Sequence, residues 1–172
     1  MVPDIDPALP IEQRIAAAVA DLGEAGVVTR ALALIAGQNA GEEFLLTVGG
    51  EHAQGILDGA PVLYWPELWG MRALLYVWND TAVIAVTAGL QNQAWRVREM
   101  CSRVAGARSL PVAAEARELL TDDNARVRAA GAKLLGEVGE ASDVELLKNL
   151  FRDAEIDVRR AAQQAIARLE KK

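Results

Sequence analysis

The sequence is short of the residues from which disulfides, metal clusters and catalytic triads are built. It holds one cysteine, Cys101, and one histidine, His52, in 172 residues. A lone thiol excludes an intrachain disulfide. One cysteine with one histidine cannot complete a Cys/His zinc site. Any Ser-His-Asp or Cys-His arrangement would rest on His52 alone. No G-x-x-x-x-G-K-[ST] phosphate loop, G-x-S-x-G elbow or H-E-x-x-H helix occurs. We therefore assign no catalytic, cofactor-binding or metal-ligating residue, and expect no enzyme. Long apolar runs are missing too: the longest, Thr81–Leu90, falls well below the roughly 18 residues that span a bilayer. The first ten residues carry Asp4 and Asp6 and no base, unlike a signal peptide. The expectation is a cytoplasmic protein without membrane association.

Aromatics make only 5 % of the chain, while alanine and leucine supply 32 and 21 residues. These two lead the helix propensity scale, so the composition reads as all-α. The length suits one domain, long enough to bury a core without covalent staples. The net charge of −6 is unevenly placed. Residues 1–86 hold eleven acids and three bases, and the remainder holds fifteen bases and thirteen acids.

Internal repeats appear in the second half. Leu90-Gln-Asn-Gln-Ala-Trp-Arg-Val-Arg98 aligns with Leu120-Thr-Asp-Asp-Asn-Ala-Arg-Val-Arg128 and with Phe151-Arg-Asp-Ala-Glu-Ile-Asp-Val-Arg159, at offsets of 30 and 31 residues. A large apolar residue opens each segment. A polar acceptor follows two residues later (Asn92, Asp122, Asp153), and each segment closes on valine and arginine. Trp69-Gly-Met-Arg72 is a weaker copy of Trp95-Arg-Val-Arg98, with Pro66 in place of the acceptor. Each unit reads as two helices. The first helices are expected at Thr81–Gly89, Pro111–Leu120 and Asp143–Phe151. The second are expected at Pro66–Trp78, Trp95–Ala107, Ala125–Val138 and Ile156–Leu169. Pro111 suits a first helical position. Ser142 and Glu145 have capping-box spacing, and Asn124 suits an N-cap. Val158, Ala161, Ala162, Ala165, Ile166 and Leu169 recur at helical spacing on one face.

The D-x-x-x-x-V-R pattern, as Asp122…Val127-Arg128 and Asp153…Val158-Arg159, resembles HEAT repeats of the short bacterial type also found in phycobilin lyase-like proteins. The resemblance covers about residues 66–172. It implies an α-α superhelix, a HEAT-like solenoid of antiparallel helix pairs. Units of about 30 residues cannot bury a core alone, so neighbours must stack. The resemblance further implies a structural ladder in which Asn92, Asp122 and Asp153 accept from Arg98, Arg128 and Arg159 of adjacent units. A guanidinium has five donors with which to bridge two neighbours. The other reading of these arginines is a binding row.

Residues 1–62 show no clear repeat. Helices are expected at Ile11–Leu22, Val27–Ile35, Glu42–Val48 and His52–Leu57, and Ile11, Ile15, Ala18, Val19 and Leu22 form one apolar stripe. Residues 1–62 read as degenerate units or as an atypical N-terminal helical cap, with repeats over 63–172, in one helical domain. The Val48–Glu67 stretch, rich in glycine, reads as a cap loop or as a functional one.

By the same resemblance, the second helices line a concave face. With Val97, Cys101 and Val104 inward, Arg96, Glu99 and Arg103 point outward. Arg96 and Arg103, like Arg126 and Lys133, lie seven residues apart on one helical face. Arg160 extends the row. Tyr64, Trp65, Trp69 and Trp95 add residue types enriched in hot spots. These nine are the candidate partner-binding residues. The expected function is a non-catalytic scaffold that binds a protein partner, with an acidic segment as the fitting chemistry. One alternative is a nucleic-acid-binding protein like HEAT-like DNA glycosylases, which the net acidity opposes. The other is a HEAT-type bilin-lyase-like enzyme, for which no site is identified. Oligomeric state is left open.

Overall fold

The computed structural model describes residues 6–172. Every regular element among them is helical. The chain divides into two compact units, one reaching Ala85 and the other running from Val86 to Lys172. The division falls within α5 (Val83–Gly89).

The first unit contains α1 (Ile11–Ile35), α2 (Glu42–Gly49), α3 (Glu51–Leu57) and α4 (Trp65–Ala73). α1 is two helical stretches joined without a loop. Gly23 breaks the helix at φ 71° and ψ 162°, a region that L side chains rarely adopt. The two expected helices, Ile11–Leu22 and Val27–Ile35, thus lengthen until they meet at that glycine. α1 packs on α4 and α2, and α2 packs on α3 and α4. The core includes Ala18, Val27, Ala31, Phe44, Val48 and Met71. Close approach at α4 depends on small residues: a Cβ on Gly70 would lie 2.7 Å from the Ala31 carbonyl oxygen.

α4 stops at Ala73 instead of the expected Trp78. The amides of Leu74, Leu75 and Tyr76 each bond the carbonyl three residues back. This tightening satisfies carbonyls left over at a helix end. Arg14 is buried, with NH1 donating to Pro7 O at 3.1 Å and Leu46 O at 3.3 Å. Burial lowers its pKa, against the opposing charge of Glu12.

In the second unit the long helices are α6 (Trp95–Ala107), α8 (Ala125–Val138) and α10 (Ile156–Leu169), with the expected bounds. Asn124 caps α8, its side chain accepting the Arg126 amide at 3.0 Å. The shorter helices are α7 (Ala113–Leu119) and α9 (Val144–Asn149), the latter flanked by 3-10 turns at Ala141–Asp143 and Leu150–Arg152.

Two details differ from the sequence reading. Pro111 is not the first residue of α7, because the Val112 amide bonds Leu110 O at 2.8 Å in a turn that precedes the helix. The box before α9 is formed by Glu140 and Asp143, not Ser142 and Glu145. Asp143 accepts the Glu140 amide at 3.0 Å, and the Ser142 hydroxyl donates to the Glu140 carboxylate.

α8 sits centrally, packed on α6, α7 and α10. Ala129, Ala132, Ala161, Ala162 and Ala165 are buried there. A Cβ on Gly131 would approach Leu119 Cβ to 2.6 Å, and one on Gly136 would approach Ala165 Cα to 2.8 Å. The alanine-rich composition thus becomes tight contact between neighbouring helices.

Candidate functional site

The turns before α6, α8 and α10 share one construction. In each, the residue two after the apolar opener accepts a backbone amide two residues on. Asn92 accepts from Ala94 at 2.8 Å, Asp122 from Asn124 at 2.8 Å and Asp153 from Glu155 at 3.0 Å. The arginine one turn into the helix reaches back to the same turn. Arg98 NH1 donates to Asn92 O and Gln93 O at 2.7 and 3.1 Å, and Arg128 NH1 donates to Asp122 O and Asp123 O at 2.8 and 3.2 Å. Arg159 NH1 donates to Asp153 O and Ala154 O at 2.6 and 2.9 Å.

The rest of the guanidinium reaches the following turn. Arg98 clasps Asp122 through Nε at 2.7 Å and NH2 at 2.9 Å, and Arg128 clasps Asp153 at 2.7 and 3.0 Å. Such bidentate charged pairs are about twice as strong as neutral hydrogen bonds. Burial opposes the charge of Asp122, but bonds from Arg98 and the Asn124 amide, with the field of Arg128, hold its carboxyl below the usual range. The Arg128 bond does the same for Asp153 against burial, and the Arg128 pKa rises in return.

A further pair escaped the sequence reading. Arg117 on α7 clasps Asp143 through Nε at 2.6 Å and NH2 at 3.2 Å, with Glu140 at 3.7 Å. Asp143 is buried; despite that burial, Arg117 and the Glu140 amide lower its pKa. This pair occurs once, so repeat alignment carries no signal for it.

α6, α8 and α10 line an open groove of about 690 Å³. Its floor holds Ala125, Ala129, Ala130 and Ala161, and its walls carry Arg103, Arg126, Lys133 and Arg160 together with Glu99, Glu155 and Asp157. Arg126 pairs with Glu99 at 3.2 Å and Arg160 lies 3.9 Å from Asp157. Arg103 and Lys133 are exposed and have no ion-pair partner among the described residues. Arg96 departs from the expected row: its guanidinium lies over the Trp95 ring, 4.3 Å from the centroid, and it does not line the groove. Arg126 stands 5.5 Å from the same ring. Cys101 is fully buried, and burial pushes its thiol well above the ordinary value.

The remaining aromatic candidates belong to the first unit. His52, Trp65 and Trp69 form a stack, with Trp65 at 5.3 Å from His52 and 6.0 Å from Trp69, and Tyr64 tilts against Trp65 at 5.2 Å. Trp69 is only 2 % exposed, and a Cβ on Gly49 would meet its ring at 2.6 Å. It therefore offers no surface to a partner. In the Val48–Glu67 stretch, Leu57, Val62 and Leu63 are exposed around a hollow of about 450 Å³ that Leu34 and Leu45 also line.

Among the described residues no group of three or more His, Cys, Asp or Glu side chains is placed to hold a metal ion, and no helix is long and apolar enough to cross a membrane. None of the curated proteins matches the chain. Residues 83–167, the stretch that holds the clasped arginines and the groove, match the family model of HEAT repeats, a likeness that supports a HEAT-repeat protein.

Proposed function

We propose that the protein is a non-catalytic scaffold whose second-unit groove binds an acidic segment of a protein partner. HEAT repeats commonly serve as protein-interaction scaffolds. The observation that carries the reading is the pair of unpartnered cations, Arg103 and Lys133, on the walls of an alanine-floored groove. A partner carboxylate there meets a cation that need not first break an internal pair. Glu99, Glu155 and Asp157 in the same walls would face a phosphate backbone with like charge, so the groove suits a segment of mixed sign better than a nucleic acid. The short bacterial, phycobilin lyase-like kind of repeat is what the D-x-x-x-x-V-R pattern of Asp122…Val127-Arg128 and Asp153…Val158-Arg159 resembles.

Affinity capture from native lysate tests this, comparing the natural chain with an Arg103→Glu plus Lys133→Glu variant. Both residues are exposed, so the variant is expected to keep the natural circular dichroism spectrum. Partners recovered by the natural chain should be lost with the variant. An unchanged set of recovered proteins, or salt-sensitive binding of a labelled DNA duplex by the natural chain, would overturn the reading.

A further inference from the structure

Three arginines hold equivalent places in successive turns, but only two have their forks filled. Arg98, Arg128 and Arg159 each use NH1 to grip the two carbonyls of their own turn. Arg98 and Arg128 spend Nε and NH2 on the aspartate of the following turn. No described residue supplies a carboxylate to Arg159. Its turn therefore fixes the guanidinium while leaving the two-donor edge that matches a carboxylate. A second departure lies in the same turn. Leu90 and Leu120 open their segments at 1 % and 6 % exposure, whereas Phe151 is 42 % exposed.

What fills such a fork is shown twice within the chain. It is an aspartate whose Oδ1 also accepts the amide two residues on, as in Asp122 and Asp153. The chain offers one more aspartate of this geometry, and this one is exposed: Asp6 Oδ1 accepts the Ala8 amide at 2.9 Å. The charge distribution agrees, with eleven acids against three bases in residues 1–86 and a slight excess of bases beyond.

We propose that this face docks a second copy of the chain, with the Asp6 turn of one copy inserted against Arg159 of the next and covering Phe151. Such a contact joins two different patches. Made reciprocally it closes a two-fold pair, and made head to tail it builds a ring or an open chain. None of the groove residues takes part, so the proposal is independent of the scaffold reading.

Sedimentation of the full chain tests it. In low salt the mean mass should rise above 18.4 kDa with concentration, and added salt should lower it. Asp6→Asn and Arg159→Ala should each sediment as monomers. Arg159→Ala also loses two turn bonds, so Phe151→Glu, at an exposed site, serves as a second disruption. Mixing Asp6→Asn with Arg159→Ala should restore a two-chain species, since each variant keeps the patch that the other lacks. A natural chain that stays monomeric at millimolar concentration in low salt overturns the proposal. So does association that survives either Asp6→Asn or Arg159→Ala, or a mixture that stays monomeric.

Discussion

Replacing Asp122 by alanine is the sharpest perturbation of the arginine clasps. It removes both oxygens that Arg98 holds at 2.7 and 2.9 Å, and the acceptor of the Asn124 amide. The pair is neither fully exposed nor fully buried, with side-chain exposures of 17 % for Arg98 and 10 % for Asp122. Exposed ion pairs contribute about 0–1 kcal/mol. Breaking a buried pair from one side costs about 3–5 kcal/mol. Arg98 keeps its two turn carbonyls through NH1, so it is stranded only in part. The expected loss is about 2–3 kcal/mol, between those limits. Asp122→Asn retains an acceptor for the turn and should cost about 1–2 kcal/mol. Urea unfolding of the full chain, followed by far-UV circular dichroism, measures both. Arg98→Met combined with Asp122→Ala leaves no stranded cation, so its cost should fall short of the sum of the singles by about 1–2 kcal/mol. A loss below about 0.5 kcal/mol for Asp122→Ala, as at an ordinary surface site, or strict additivity in the double variant, would refute the reasoning.

The same pairs set an acid limit. Asp122, Asp143 and Asp153 have carboxyls lowered in the folded state, so the stability they contribute is complete above the unfolded value of about 3.9 and is lost as pH falls through the folded values. The urea midpoint should drop below about pH 4, and drop less in an Asp122→Asn plus Asp153→Asn variant; equal drops would count against this origin. The glycines of the second unit should divide by what surrounds them. Gly136→Ala places a Cβ 2.8 Å from Ala165 Cα and should cost about 1–3 kcal/mol through overpacking. Gly106→Ala meets nothing nearer than 3.6 Å and should gain about 0.5–1 kcal/mol from helix propensity. Thermal melts of the two variants check the contrast, and equal shifts would contradict it.

The long second helices of the second unit were legible because each begins just after a recurring turn. The first residues of α6, α8 and α10 follow from these turns. Elements decided by contacts were harder to read. α4 ends early because its last turn tightens, and the box before α9 shifts to Glu140 and Asp143 because Arg117 draws Asp143 inward. Periodicity reports positions that recur, so the Arg117–Asp143 pair, which occurs once, left no trace. The charges of the groove row were readable as residues seven apart. The turn of Arg96 onto the Trp95 ring was not, because helical spacing fixes where a Cβ points and not where a long side chain ends.

Each clasping arginine measures two spans at once, one to its own turn and one to the next. In the second unit this makes the turn edge a stiff spine. At the other ends of the helices the restraint differs in kind. Arg168 and Glu137 pair there, both exposed, and Lys172 reaches the carbonyls of Glu137 and Gly139. Exposed pairs of this sort hold weakly. Polar restraint is therefore concentrated along the turn edge, while away from it α8 and α10 are held by apolar contact, closest where Gly136 meets Ala165.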